Sequence, residues 1–370
     1  MRALLAPFPL PGHLSPFLAL GQALRRRHHD VWLYADASCE AAATAAGCSI
    51  AVSPTEGAAR IGQQQVTQAD MVHWAEAVAR TTGVHLAAAL EAHPVDVLVI
   101  DEMNLGAALV AQAAGTPWLS LPTSPALRNP QFHDWPSMIP TRALRAALGL
   151  VADARNSLHQ GISPRGALLP WTAEFDAGRD SPGEVHVGPL LWDAASSDRS
   201  AFEILVSIST SPHAQLRQAL LRFLEHALAA LADLPHRAVL TVGDMVLPPG
   251  AVPAHVEVRS HVEHGPLMNG LKLFVHHGGW GSIGRCLRAG VPMLIVPFER
   301  DQPANAFRCE RLGLARVVPH RSSSDALRHH MRALLDPASP QRRAIQSHSA
   351  RYAGGSPADI ACAQLERVMA

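Results

Sequence analysis

Short apolar segments alternate with longer segments of helical periodicity along most of this sequence. Predicted strands in the first half are Arg2–Pro7, Asp30–Ala35, Asp96–Ile100 and Trp118–Leu121. Predicted helices are one that begins at Ser15-Pro16 and one over Leu105–Ala114, and residues 122–140 and 161–171 are predicted loops. Strands that alternate with crossover helices form mostly parallel sheets. The alternation therefore predicts an α/β protein built on parallel sheets.

A second alternating set follows a break at residues 181–200, where Ser, Pro, Gly and small polar residues accumulate. Predicted strands here are Glu203–Ile208, Arg237–Val242, Val256–Ser260, Leu271–His276 and Met293–Pro297, with predicted helices Ala214–Leu231, Ser282–Ala289 and Pro303–Leu312. A chain of 370 residues has room for about two domains. We predict an N-terminal domain over 1–190, a linker over 191–202 and a C-terminal domain over 203–370. The last helix is expected to pack back on the N-terminal domain, and a cleft is expected between the two domains.

Charge and cysteine content narrow the class of protein. The 31 Lys and Arg residues balance the 31 Asp and Glu residues, so the chain has no general attraction for nucleic acid or anionic membranes. The five cysteines form no CxxC pair, and no uncharged apolar run approaches the roughly 18 residues of a membrane span. We expect a soluble, cytoplasmic protein with reduced thiols, and the sequence is also compatible with a homodimer.

Two polar residues stand where the first and third predicted strands end. His13 lies in Gly12-His13-Leu14-Ser15-Pro16 after the first strand, and Asp101 directly follows the strand Val95–Ile100. Ligands of open parallel sheets bind at the carboxyl ends of strands. A carboxylate bonded to one nitrogen of an imidazole fixes its tautomer, so the pair is a candidate general base. The alternatives are a loop histidine bonded to backbone and an aspartate that caps the next helix.

The most informative segment is Phe274-Val-His-His-Gly-Gly-Trp-Gly-Ser282. A strand here enters a glycine-rich turn and then a helix, an arrangement that brings backbone amides and the positive end of the helix close to a phosphate. Gly290 ends the helix, and the next strand leads to Asp301-Gln302. An ordinary glycine-rich turn remains the alternative, because short glycine patterns are weak signals by themselves.

Together these motifs resemble the large family of glycosyltransferases that includes plant and bacterial natural-product enzymes. The matching residues are His277-Gly278-Gly279, Ala289-Gly290-Val291-Pro292 and Asp301-Gln302-Pro303-Ala304-Asn305, together with the N-terminal Gly-His-x-x-Pro and Asp101. The resemblance implies a GT-B fold, in which two Rossmann-like domains face each other across a cleft. It also implies a nucleotide-diphosphate sugar as co-substrate and a small-molecule acceptor.

The resemblance further implies a role for each matching residue. His13 would deprotonate the acceptor with support from Asp101. The donor would be bound by Thr210, His261, Val262, His277, Gly278, Gly279, Trp280, Gly281, Ser282, Asp301 and Gln302. Within this set His277 would contact the pyrophosphate, and Asp301 and Gln302 would hold the sugar hydroxyls. No Asp-x-Asp motif is present, so no metal ion and no cofactor are expected, although His261-x-x-His264 also permits a metal site.

The sequence departs from the family pattern where the nucleoside would bind. Many relatives carry a ribose-binding Glu three residues after the Ser of the turn, and Arg285 stands there in this chain. Arginine has no hydrogen-bond acceptor, which favours a dTDP-deoxysugar over a UDP-sugar. We therefore expect an inverting, metal-independent glycosyltransferase acting on a small natural product. The alternatives are a UDP-sugar enzyme with a lipid or cell-wall acceptor, an epimerase of similar fold, and a non-catalytic auxiliary protein.

Overall fold

The computed structural model describes residues 1–53, 68–125, 141–151, 162–176, 182–193, 200–208, 216–247, 252–352 and 354–369. The chain forms two compact units. The N-terminal unit consists of residues 1–192 and 355–370, and the C-terminal unit of residues 193–354. The division between them thus falls at residues 192 and 193, and the last helix belongs to the N-terminal unit.

The N-terminal unit is built on a seven-stranded sheet in the order β3-β2-β1-β4-β5-β6-β7, with all paired strands parallel. Its strands are β1 (Arg2–Ala6), β2 (Asp30–Ala35), β3 (Ser49–Val52), β4 (Val97–Ile100), β5 (Trp118–Ser120), β6 (Ala167–Leu169) and β7 (Glu184–His186). Its helices are α1 (Pro11–Arg26), α2 (Glu40–Ala45), α3 (Gln68–Ala92), α4 (Leu105–Ala114), α5 (Arg142–Ala147) and, after the C-terminal unit, α12 (Pro357–Met369). The central strand β4 is buried throughout, as expected for a parallel sheet covered on both faces.

The C-terminal unit is built on a six-stranded parallel sheet in the order β10-β9-β8-β11-β12-β13. Its strands are β8 (Ile204–Ser207), β9 (Ala238–Thr241), β10 (Val256–Arg259), β11 (Leu273–His276), β12 (Met293–Ile295) and β13 (Ala315–Val317). Its helices are α6 (Arg217–Ala232), α7 (His264–Leu267), α8 (Trp280–Ala289), α9 (Gln302–Arg311), α10 (Ser324–Leu335) and α11 (Pro340–Ser349). The predicted fold class, α/β with two parallel-sheet domains, is confirmed.

The first helix begins earlier than the sequence predicts. It starts at Pro11 rather than at Ser15-Pro16, so that His13 lies in its first turn and not in a loop. Leu10 is extended, and its carbonyl already accepts the His13 amide at 2.9 Å. The Ser15 hydroxyl accepts the Trp192 amide at 2.9 Å instead of capping the helix. The predicted helix start was wrong because Pro11 satisfies the first helical position as well as Pro16 does.

The predicted loop over 161–171 is also wrong, because it contains the short strand β6. Only one register pair, Ser120 with Ala167, joins β6 to β5. Its three residues give too short a pattern to be distinguished from a loop. Residues 126–140 of the other predicted loop lie outside the described residues.

Helix α12 is fixed to the N-terminal unit by ion pairs as well as by apolar packing. Glu366 accepts hydrogen bonds from Arg27 at 2.6 Å and from His29 at 2.8 Å. These bonds lower the pKa of the Glu366 carboxyl to about 2, with the bond from Arg27 making the larger contribution. Ala361 and Leu365 are fully buried in the same cluster as Phe17 of α1. Among the helices of the described residues, none is long and apolar enough to cross a bilayer.

Candidate active site

His13 and Asp101 meet at the point where the strand order of the N-terminal sheet reverses. Strand β1 pairs with β2 on one side and with β4 on the other, and Ala6 is opposite Ile100 at the carboxyl end. The connection after β1 carries His13 and the connection after β4 carries Asp101. Loops at such a switch point diverge and leave a crevice for ligands. The sheet topology therefore brings together two side chains that are 88 residues apart in sequence.

The contact between the two side chains is short and protected. His13 Nδ1 lies 2.6 Å from Asp101 Oδ2, and the exposed fractions of the side chains are 14% and 0%. The aspartate is held by backbone donors, because Oδ1 accepts the Met103 amide at 3.0 Å and Oδ2 accepts the Phe8 amide at 3.4 Å. Asp101 does not cap the next helix; the cap of α4 is Asn104, which accepts the Ala107 amide.

This geometry assigns the imidazole tautomer. An ionised carboxylate only accepts hydrogen bonds, so the proton of neutral His13 lies on Nδ1, between the ring and Asp101. The lone pair is then on Nε2, which has no hydrogen-bond partner among the described residues. Proton uptake at Nε2 would create an imidazolium that the buried carboxylate stabilises. The pair thus has the arrangement that a general base requires.

Sequence reasoning did not identify Thr123 or Phe8 at this site. The Thr123 hydroxyl lies 3.0 Å from His13 Nδ1, and the Phe8 ring lies 5.7 Å from the His13 ring, between it and Trp74. Thr123 follows β5, the neighbour of β4, and its position after a strand is the only signal that the sequence offers for it. These neighbours restrict the imidazole to the orientation that faces Asp101.

The glycine-rich segment occupies the corresponding switch point of the C-terminal sheet. Strand β8 pairs with β9 on one side and with β11 on the other, and Ser207 is opposite His276 at the carboxyl end. Helix α8 begins directly after the turn, with Gly279 as its N-cap. Its first intrahelical bond runs from the Ser282 amide to the Gly279 carbonyl, so the preceding amides belong to the helix N-terminus that attracts anions.

Two glycines shape this turn, which we call the glycine turn (residues 277–282). Gly278 has φ +95°, and a Cβ there would lie 2.9 Å from Ile295 Cγ2 and 3.2 Å from the Gln302 carbonyl oxygen. A Cβ on Gly279 would lie 2.6 Å from His277 Nε2. The imidazole of His277 therefore lies against the N-cap of α8, where any side chain would displace it.

The Asp301-Gln302 segment is attached to the glycine turn by Asn305. The side-chain Nδ2 of Asn305 donates to the Gly278 carbonyl at 3.2 Å and to Asp301 Oδ2 at 2.8 Å. Gln302 is buried, and its Oε1 accepts the Phe298 and Glu299 amides at 2.9 and 3.2 Å. The carboxamide oxygen of Gln302 is therefore used by the loop, and only its NH₂ group remains to bind a ligand. Asp301 lies at the start of α9.

Three histidines beneath the glycine turn are uncharged at neutral pH. Burial lowers the pKa of His277 to about 4, although the Asp301 carboxylate raises it. Burial lowers the pKa of His264 to about 3 and that of His276 well below its ordinary value. His276 Nδ1 accepts the Gly278 amide at 3.1 Å, and His264 Nε2 lies 3.1 Å from the Ser207 hydroxyl. The turn is thus supported by neutral imidazoles, two of which are engaged in these hydrogen bonds, whereas His276 Nε2 and His277 Nδ1 are buried without a hydrogen-bond partner among the described residues.

These pKa values predict that acid destabilises the protein. A histidine such as His264 has a pKa of about 3 in the folded state and about 6.5 in the unfolded state. Because the unfolded state then binds more protons, the free energy of unfolding decreases as the pH falls below about 6.5. Each such residue adds about 1.4 kcal/mol per pH unit to the slope of the unfolding free energy between pH 6 and 4. For His264→Asn, the free energy of unfolding measured by urea denaturation at several pH values should change by about 1.4 kcal/mol per pH unit less than it does in the wild type. The matched control is His329→Asn, at an exposed position, and an unchanged slope in His264→Asn would contradict the assignment.

The segment expected to bind the nucleoside differs most from the family pattern. Arg285 donates from Nε and Nη2 to Asp193 Oδ1 at 2.9 and 2.5 Å and from Nη1 to the Gly281 carbonyl at 3.1 Å. Asp193 also packs closely on Gly265: a Cβ built on Gly265 would lie 2.3 Å from the carboxyl carbon of Asp193. The Arg285–Asp193 ion pair is therefore held by close packing within the C-terminal unit. The sequence analysis did not identify Asp193 as the partner of Arg285.

The remaining predicted donor residues have separate positions. His261 is exposed in the segment after β10, and the Val262 side chain beside it is buried. The Trp280 and Ser282 side chains are also buried, and the Ser282 amide is used within α8. Thr210 lies outside the described residues. In the described ranges no group of three or more His, Cys, Asp or Glu side chains is placed to hold a metal ion.

Comparisons with known proteins identify similar sequences and folds. Residues 225–367 match the family described as "Erythromycin biosynthesis protein CIII-like, C-terminal domain". O-mycaminosyltylonolide 6-deoxyallosyltransferase from Streptomyces fradiae is 28% identical over 91% of this chain and 91% of its own. The solved structure of the glycotransferase of kitacinnamycin has a TM-score of 0.80 at 22% identity over 100% of this chain and 99% of that chain.

A third relative is known with a nucleotide bound. The spinosyn rhamnosyltransferase SpnG complexed with thymidine diphosphate has a TM-score of 0.69 at 21% identity, over 98% of this chain and 99% of that chain. The solved structures establish the fold, and the sequence matches establish the kinship. The chain thus has the GT-B fold, and over most of its length it is similar to bacterial natural-product glycosyltransferases.

Proposed function

We propose that this glycosyltransferase moves a deoxysugar from a dTDP-sugar onto a hydroxyl of a small natural product, with inversion at the anomeric carbon and without a metal ion. His13 Nε2 accepts the proton of the acceptor hydroxyl as its oxygen attacks the anomeric carbon. The bond from that carbon to the phosphate oxygen breaks, and dTDP leaves with the electron pair. A single displacement of this kind inverts the configuration.

The observation that carries the proposal is the contact between His13 Nδ1 and Asp101 Oδ2 at 2.6 Å. A histidine that only packed against backbone would have no need of a fully buried carboxylate on one nitrogen and an unengaged second nitrogen. The arrangement also argues against a non-catalytic auxiliary protein. Burial of the Asp101 carboxylate beside an imidazole carries a desolvation cost, and a protein without catalytic activity would have no functional reason to retain it.

The dTDP donor is supported by the Arg285–Asp193 pair. The arginine presents only donors, and it engages the carboxylate of Asp193 in three hydrogen bonds. The ribose of UDP carries a 2′-hydroxyl that dTDP lacks, and this site offers it an ion-paired carboxylate in place of the Glu that many relatives carry. The thymidine diphosphate bound by SpnG supports the same donor class.

The natural-product acceptor is supported by what the relatives act on. The Streptomyces fradiae enzyme is by name a transferase to O-mycaminosyltylonolide, and SpnG is a spinosyn rhamnosyltransferase. We expect the acceptor to be bound by the segments at about 60–80 and 122–140. The first was predicted as a loop, but its residues 68–80 form the start of α3, and residues 60–67 and 126–140 lie outside the described residues. The acceptor is therefore proposed from kinship and not from contacts.

Calorimetric titration with dTDP, dUDP and UDP tests the donor assignment. We expect dTDP and dUDP to bind at least about tenfold more tightly than UDP, since an unmatched hydroxyl costs about 1.4 kcal/mol or more. Comparison of dUDP with UDP isolates the 2′-hydroxyl from the thymine methyl group. Equal affinity for all three would reject dTDP selectivity, and absence of binding to any of them would favour the auxiliary protein. Wild-type release of dTDP from dTDP-sugars that is lost in His277→Ala and Asp301→Ala would support the enzyme.

A further inference from the structure

Arg300 has an unusual backbone conformation directly before Asp301. Its φ is +55°, and among the described residues only His28 is another non-glycine residue with positive φ. This left-handed region is unfavourable for a residue with a Cβ and is occupied mainly by glycine. Observed strain of this kind is concentrated at functional sites.

The loop around Arg300 forces that conformation. Gln302 Oε1 accepts the amides of Phe298 and Glu299, and the Gln302 amide donates to the Glu299 carbonyl at 3.1 Å. Asn305 fixes Asp301 on the other side at 2.8 Å. Any residue with a Cβ is therefore strained at position 300, and glycine would relieve the strain. The presence of arginine at a strained position suggests to us that its side chain has a function that offsets the strain.

The guanidinium of Arg300 has little to bind within the chain. Its one ion pair is to Glu299 Oε1, at a long 3.9 Å from Nε, and it donates no hydrogen bond to any described residue. A third of the side chain is exposed. Its charge acts on His277 of the glycine turn, where it contributes to the low pKa of that imidazole. The segment that carries Arg300 is joined to this turn, because the Asn305 side chain donates both to Asp301 Oδ2 and to the Gly278 carbonyl.

We propose that Arg300 binds the sugar-linked phosphate of the donor, as a cationic partner to the glycine turn. The inference rests on the proposed function. Arg300 immediately precedes Asp301 and Gln302, which we assign to the sugar, so the phosphate nearest to it is the one that carries the sugar. A guanidinium that projects several N–H donors in one plane matches the oxygens of a phosphate.

Titration of three variants with dTDP and dTMP tests this inference. Arg300→Gly relieves the backbone strain and removes only the side chain, so we expect its folding to be intact and its dTDP affinity to fall about tenfold or more, as for other charge-assisted contacts. Affinity for dTMP, which lacks the second phosphate, should fall less than about threefold. Arg300→Lys should retain part of the dTDP affinity. The matched control is Arg321→Gly, at an exposed position of the same unit.

The outcomes separate this inference from the proposed function. If the wild-type protein binds no nucleotide diphosphate, the proposed function itself fails. If the wild type binds dTDP and Arg300→Gly binds it equally well, only the role of Arg300 is overturned. Equal losses for dTDP and dTMP would also overturn it, since the contact would not then be to the sugar-linked phosphate. A steeper salt dependence of dTDP binding in the wild type than in Arg300→Gly would support the charge-based contact.

Discussion

Replacement of His13 by alanine should lower the rate of sugar transfer by about 10²-fold to 10⁴-fold, the usual contribution of a general base. The reason lies in the geometry around the ring, where Asp101 fixes the proton on Nδ1 and leaves Nε2 to accept one. Binding of dTDP should be unchanged in His13→Ala, because His13 is assigned to the acceptor hydroxyl and not to the nucleotide. Single-turnover transfer and calorimetric titration of the same preparation check both expectations.

Asp101→Asn provides a second, conservative test of the same pair. The Met103 amide donates to Oδ1, so an asparagine there keeps its oxygen at that position and presents its NH₂ to His13. The imidazole would then carry its proton on Nε2 and lose the basic lone pair. We expect turnover to fall, with a modest loss of thermal stability because the NH₂ group would face the Phe8 amide, which donates to Oδ2 in the wild type. The matched control is His329→Ala, an exposed histidine on α10. Near-normal turnover in His13→Ala would eliminate His13 as the base.

Sequence patterns predicted the parts of the fold that depend on local periodicity. Leu105–Ala114 forms a helix over the predicted residues, and the strands that end at His276 and Ile100 also end where predicted. Parallel strands buried on both faces leave continuous apolar runs, which are easy to recognise. Because ligands bind where such strands end, the same runs also located His13, Asp101 and the glycine turn.

Features that depend on long-range contacts were not predictable from local patterns. Thr123, 110 residues after His13 in sequence, and Asp193, 92 residues before Arg285, give no local signal of their partners. Gln302 was expected to hold the sugar, but its oxygen is bonded to the loop that shapes the site. The position of the motif residue was predictable, whereas the division of its hydrogen bonds between loop and ligand requires the tertiary structure.

Substitution of Gly278 by alanine is expected to weaken both the fold and donor binding. A Cβ at this position meets Ile295 Cγ2 at 2.9 Å and the Gln302 carbonyl at 3.2 Å, and the backbone has φ +95°. The conformational cost is about 1–2 kcal/mol, and overpacking adds about 1–3 kcal/mol. Relief of the contact would displace the Gly278 carbonyl from Asn305, which holds Asp301. We therefore expect the affinity for dTDP to fall by at least about tenfold.

Gly313→Ala separates the effect of conformation from that of contact. Gly313 has φ +68°, and a Cβ on it would meet nothing within 4 Å, so only the conformational cost of about 1–2 kcal/mol applies. Urea denaturation should place Gly278→Ala below Gly313→Ala in stability, and only Gly278→Ala should lose dTDP affinity. If both variants lose stability equally and bind dTDP normally, the turn tolerates a side chain, and its close packing against the Asp301-Gln302 loop does not shape the donor site.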